Sequence, residues 1–92
     1  MSELVTFNVR VWGHVQGVFF RQSALDKASE YGLTGWVRNM ADGSVQAVIQ
    51  GSPEHCARML DWFSIGPPAS EVSTINHSKI ASSEQFQTFI IQ

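Results

Sequence analysis

Across Gly13-His14-Val15-Gln16-Gly17-Val18-Phe19-Phe20-Arg21 the apolar spacing of this chain changes from that of a strand to that of a helix. Before it, Val5, Phe7, Val9 and Val11 alternate with Thr6, Asn8, Arg10 and Trp12, as in a strand with one face on a core. After it, Phe20, Ala24, Ala28 and Tyr31, with Leu25 alongside, recur at helical spacing. A strand must therefore turn into a helix through a short glycine-containing loop, with an arginine just past its end. Backbone N–H groups in such a turn, added to the unpaired donors of a helix N-terminus, make a concave anion site. An arginine aimed into the hollow adds a fixed charge with planar donors suited to phosphate oxygens. The combination points to a small phosphorylated ligand.

The remaining elements follow from local signals. Gly32 stands where a helix C-terminus favours a left-handed residue. Leu33 to Met40 and Val45 to Gln50 read as strands joined through Asp42-Gly43, a pair that tolerates positive φ and so marks a hairpin. Ser52-Pro53 predicts a helix start, a cap followed by a first-turn proline. Cys56, Leu60 and Phe63 are expected to form its buried stripe with Met59 beside it, and Gly66-Pro67-Pro68 to stop it. Val72 to Lys79 and Phe86 to Ile91 read as two weaker strands. The order is strand, helix, strand, strand, helix, strand, with a short extra strand at the end. Two helices with one apolar face each must cover one face of an antiparallel sheet, giving a ferredoxin-like α/β sandwich of the α+β class.

Composition bounds the partners. Ninety-two residues make one domain, expected to span 1–92. A net charge of −2 gives no general attraction to nucleic acid or anionic lipid, so an anion site must be built locally. One cysteine, Cys56, excludes an internal disulfide and a thiolate metal cluster, and His14, His55 and His77 lack a metal-ligand spacing. Neither a signal peptide nor a membrane span is read at the N-terminus. A cytoplasmic setting and a stand-alone monomer are expected, without metal or cofactor.

The segment Gly13 to Arg21, followed by Gly35-Trp36-Val37-Arg38-Asn39 and Asp42-Gly43-Ser44-Val45, resembles the acylphosphatase family over essentially the full chain. Gln46 and Gln50 stand where glutamates are common in that family, and Gln92 where many relatives place an arginine. These three positions are expected to lie outside the phosphate site. The resemblance implies metal-free hydrolysis of a carboxyl–phosphate mixed anhydride to a carboxylate and inorganic phosphate. A carboxylate leaves easily, so the protein need only hold the phosphoryl group, neutralise its charge and deliver a water in line.

By the same resemblance, Arg21 binds the phosphoryl oxygens. As a plain surface residue it would be poorly placed, because a cation in the first turn of a helix opposes the helix dipole. The backbone amides of Val15, Gln16, Gly17, Val18, Phe19 and Phe20 form the rest of the cradle, with Gly17 allowing close approach of the backbone to phosphate. Asn39, at the end of a strand, positions the attacking water through its amide carbonyl; on spacing alone it could equally close a strand before a turn. His14 reads as a solvated loop residue, Cys56 as core, and Trp12, Trp36 and Trp62 as packing and rim residues. Strand alternation puts Arg38 on the opposite sheet face, and Asp42 reads as a turn residue.

Three rival readings compete. An RNA-binding sheet would display aromatics on its first and third strands, yet Ser44 to Gln50 carries none. A non-catalytic phosphate or acyl-phosphate binding module is disfavoured by the presence of both Arg21 and Asn39. A piece of a larger carbamoyl-transfer enzyme is less simple than a stand-alone acyl phosphate hydrolase.

Overall fold

The computed structural model of the chain describes residues 3–92. Its elements are β1 (Val5–His14), α1 (Phe20–Glu30), β2 (Thr34–Asn39), β3 (Val45–Gly51), α2 (Pro53–Ile65), β4 (Glu71–Ile80) and β5 (Phe89–Ile91). They build a ferredoxin-like sandwich on one five-stranded sheet, ordered β4-β1-β3-β2-β5. Val9, Val11, Val37, Val45 and Ile49 of the sheet pack under Phe20, Ala24 and Ala28 of α1 and Cys56, Met59 and Phe63 of α2, all fully or nearly fully buried. None of the helices described is long and apolar enough to cross a membrane.

Local chemistry sets the boundaries. The Ser52 hydroxyl accepts from the His55 N–H at 3.3 Å, capping α2 ahead of Pro53. In the hairpin between β2 and β3 the Met40 N–H donates to Ser44 O at 2.8 Å, and Asp42 accepts from the Ser44 N–H at 2.9 Å. Arg10, reaching across from β1, donates to the same carboxylate at 2.9 Å. Hydrogen bonds from Ser44, reinforced by the Arg10 charge, hold the Asp42 carboxyl below its ordinary pKa. A depressed pKa means that this stabilising contribution is complete above the ordinary carboxylate range and is lost as pH falls through the lowered value.

The structure departs from the sequence reading in three places. The α2 stripe is Cys56, Met59 and Phe63, with Leu60 only half-buried. Trp62 and Phe63 both meet the Phe20 ring of α1, at 5.4 and 6.2 Å between centroids, and that seam turns Met59 rather than Leu60 inward. Desolvation pushes the buried Cys56 thiol up to about 11, so it packs as a neutral group.

The second departure is that the sheet is mixed rather than antiparallel: β5 runs parallel to β2, with Gly35, Trp36 and Val37 paired to Phe89, Ile90 and Ile91. The cause is topological. β4 pairs antiparallel with β1 at one edge, so the chain leaves it at the end of the sheet where β2 begins. Crossing that end brings the chain to the far edge in the direction of β2.

The third is that β5 spans only Phe89–Ile91, because residues 86–88 finish the crossing instead of extending the strand. Gln50, only 3% exposed, pins that crossing. Its amide donates to Thr6 Oγ1 and Glu84 O, each at 2.9 Å, and its carbonyl accepts from the Phe86 N–H at 3.0 Å. Every polar atom of this buried side chain is thereby satisfied.

Candidate active site

β1, β2 and β5 end at the same side of the sheet, where the loop from β1 into α1 begins. Val15 and Val18 anchor this loop in the core at 1% and 7% exposure, and Phe20 continues the anchor from the first residue of α1. Between these anchors the chain bends outward, with Gly17 at φ 75° and Phe19 at φ 60°. A Cβ at Gly17 would meet no protein atom within 4 Å, so the backbone there borders open space. Phe19 is the one non-glycine residue among those described with positive φ, a conformation costing about 1–2 kcal/mol for an L side chain.

The N-terminus of α1 is left open. Its N-cap, Phe19, makes no side-chain capping bond, and no acidic residue stands in the first turn. By contrast α2 has both Ser52 as cap and Glu54 in its first turn. The unpaired N–H groups of α1 and its positive dipole end are therefore free for an external acceptor.

A cleft of about 360 Å³ lies against this loop, lined by Val15, Gly17, Phe19, Arg21, Asn39 and Ile91 together with Phe20 and Gln22. Arg21 is half-buried at the second position of α1, and its Nη1 donates to the Gln92 main-chain oxygen at 3.2 Å. Among the described residues this is its one protein hydrogen bond, which leaves most of the guanidinium donors available. Asn39 ends β2 on the face shared with Val37, the face that the helices cover. Its side-chain amide has no hydrogen-bond partner among the described residues.

Two of the proposed cradle residues, Gln16 and Val18, do not line the cleft. The Val18 side chain is in the core. The Gln16 amide donates to Met40 O at 2.8 Å and Ser44 O at 2.9 Å, so it ties the loop to the hairpin that follows Asn39. Gln16→Leu, close in size but without donors, is expected to destabilise the protein by about 1–2 kcal/mol, read as a lower urea midpoint at unchanged slope.

Other candidates stand apart from the cleft. His14 is exposed at the end of β1, opposite Glu71 of β4. Arg38 lies on the opposite sheet face, over Trp36 at 4.9 Å and donating to Gln46. On that face Arg10 likewise covers Trp12 at 5.5 Å and is held by Ser44 and Asp42. Trp62 packs between the helices. No three His, Cys, Asp or Glu side chains converge as metal ligands among the described residues.

Gln92 does not line the cleft, but its main-chain oxygen meets Arg21 while its N–H donates to Val37 O at 2.9 Å, so it borders the site rather than standing apart from it. Ile91 and Gln22 were not read from the sequence as part of this cleft. Ile91 enters through the parallel pairing of β5, which leaves no local mark; Gln22 needed only helical geometry from Arg21.

The chemistry on offer is narrow. One guanidinium, the loop backbone and the amides of Asn39 and Gln22 line a cleft whose lining side chains include neither a carboxylate nor an imidazole. Such a site binds a phosphoryl group and orients a water, but it supplies no strong general acid or base.

The acylphosphatase family model matches residues 7–91 of this chain. An acylphosphatase of Paraburkholderia xenovorans is 42% identical over 88 residues, covering 96% of this chain and 91% of the relative. The solved acylphosphatase of Coxiella burnetii superposes with a TM-score of 0.92 at 38% identity, covering 97% of this chain and 93% of that one. That of Bacillus subtilis gives a TM-score of 0.92 at 31% identity, covering 96% of this chain and 98% of that one.

Proposed function

This chain belongs to the acylphosphatase family and hydrolyses acyl phosphates, and we propose that it does so in the cleft between the β1–α1 loop and the end of β2. The backbone amides from Val15 to Phe20 and the Arg21 guanidinium hold the phosphoryl oxygens. The Asn39 amide carbonyl accepts a hydrogen bond from a water and aims it at phosphorus, opposite the carboxylate. The P–O bond to water forms as the P–O bond to the acyl oxygen breaks, and the carboxylate leaves with the electron pair. The proton of the attacking water passes to a phosphoryl oxygen or to solvent, so no covalent enzyme intermediate arises.

One observation carries the reading: Arg21 and Asn39, from different elements, line one cleft that contains no acid or base side chain. Such a site suits a substrate whose leaving group needs no protonation, and an acyl phosphate is one. The rival binding module has no use for an unpartnered amide facing the cleft, and family membership does not favour it. In this reading the chain acts as a cytoplasmic monomer, one domain over residues 1–92. It needs no metal or cofactor and engages no nucleic acid or membrane.

The test is hydrolysis of benzoyl phosphate in the presence of a chelator, with inorganic phosphate as inhibitor. Metal-independent turnover and competitive inhibition by phosphate are expected. Asn39→Ala should lose about 10²–10³-fold in kcat while phosphate inhibits with a constant within about threefold of wild type, because the amide directs water rather than holding the anion. Near-normal kcat in that variant would remove Asn39 from the mechanism.

A further inference from the structure

Phe19 is 82% exposed although it stands between the two buried residues Val18 and Phe20. An aromatic ring held in water on a left-handed backbone position is unfavourable twice over, and no packing contact in the core requires it. The ring lines the same cleft as Arg21, and Ile91, 38% exposed, lines it as well. Ile91 lies on the helix-covered face because it pairs with Val37 in parallel register. The cleft lining thus brings Arg21, Asn39 and the loop backbone together with two exposed apolar side chains, Phe19 and Ile91. A phosphoryl group held by the loop and Arg21 must direct its bridging oxygen away from them. Whatever is esterified to that oxygen then passes beside Phe19 and Ile91.

We propose that Phe19, with Ile91, forms an acyl-group subsite that selects aromatic or branched apolar acyl phosphates over acetyl or carbamoyl phosphate. The proposal rests on the reading that the phosphoryl group occupies the cradle described above. The gain comes from covering apolar surface on both partners, surface that the free protein leaves in water. The rim offers no carboxylate to a cationic acyl group. An acetyl or carbamoyl group is too small to cover the ring and gains little from it.

The experiment compares kcat/KM for benzoyl and acetyl phosphate in the wild type, Phe19→Gly, Phe19→Tyr and Ile91→Ala. Glycine accepts the left-handed backbone, and the ratio of the two substrates cancels any effect on the cradle common to both. The benzoyl-to-acetyl ratio is expected to fall about tenfold in Phe19→Gly and severalfold in Ile91→Ala, and to survive in Phe19→Tyr. Inorganic phosphate is run as a competitive inhibitor in parallel. Preserved phosphate inhibition with an unchanged ratio in Phe19→Gly would overturn the subsite alone. Loss of phosphate competition in the wild type would overturn the cradle, and the subsite with it.

Discussion

Arg21→Ala is expected to lower kcat/KM for benzoyl phosphate by about 10³-fold or more, with circular dichroism and the urea midpoint nearly unchanged. The asymmetry follows from what the side chain touches. Its one protein hydrogen bond among the described residues, to the Gln92 main-chain oxygen at 3.2 Å, is long and exposed to water, so it adds little to stability. Toward the cleft it supplies the single positive charge of the lining. Charge on the phosphoryl oxygens shifts as the acyl oxygen departs, and a fixed planar cation stabilises that shift without reorganising. Arg21→Lys keeps the charge but not the paired donors, so it should recover only part of the loss. Turnover of Arg21→Ala within about tenfold of wild type would show that the backbone amides alone carry the anion. Loss of structure in the variant would instead give Arg21 a folding role that its contacts do not suggest.

Gly35→Ala should be the most damaging single-methyl change to stability. A Cβ at Gly35 would sit 1.9 Å from the Val48 carbonyl oxygen and 2.8 Å from its carbon, at a φ of 133°. Both obstacles are backbone, so β2 and β3 can accept the methyl only by separating. We expect a cost of about 3 kcal/mol or more, which lowers the melting temperature by roughly 12–24 °C in a domain of this size. Gly43→Ala is the natural comparison, because its Cβ would meet nothing within 4 Å and only its φ of 92° is unfavourable. That variant should lose about 1–2 kcal/mol. Equal melting temperatures for the two would mean that β2 and β3 are not packed as closely at Gly35 as described. Activity should fall with stability in Gly35→Ala, since β2 carries Asn39 at its end.

Much of this architecture was legible because its determinants are local. The Ser52-Pro53 start of α2, the Asp42-Gly43 hairpin and the strand-to-helix switch before Phe20 are each written within a few residues, and each forms as read. Arg21 and Asn39 were named through the resemblance of their motifs, and the fold brings them to one cleft. What escaped was non-local. Nothing near Phe89 announces a parallel partner, because that pairing is fixed by where β4 leaves the sheet. Gln50 reads from the sequence only as a departure from the family outside the phosphate site, yet it clamps backbone groups more than thirty positions away, at Glu84 and Phe86. Gln92 meets Arg21 through its main chain, so no choice of side chain could reveal it. Side chain to backbone bonds of this reach leave no period in a sequence.

The parallel placement of β5 also sets a timetable. The cleft needs the β1–α1 loop, the end of β2 and the end of β5, so its walls come from both extremes of the described chain. Of all neighbouring strands only β2 and β3 are joined by a short hairpin; every other pairing closes a long stretch of chain. Such topologies assemble slowly, because loop entropy is lost before the distant contacts form. A chain that has paired β1 through β4 still lacks the Ile91 side of the cleft until β5 docks beside β2. The onset of benzoyl selectivity during refolding is therefore expected to report the docking of β5.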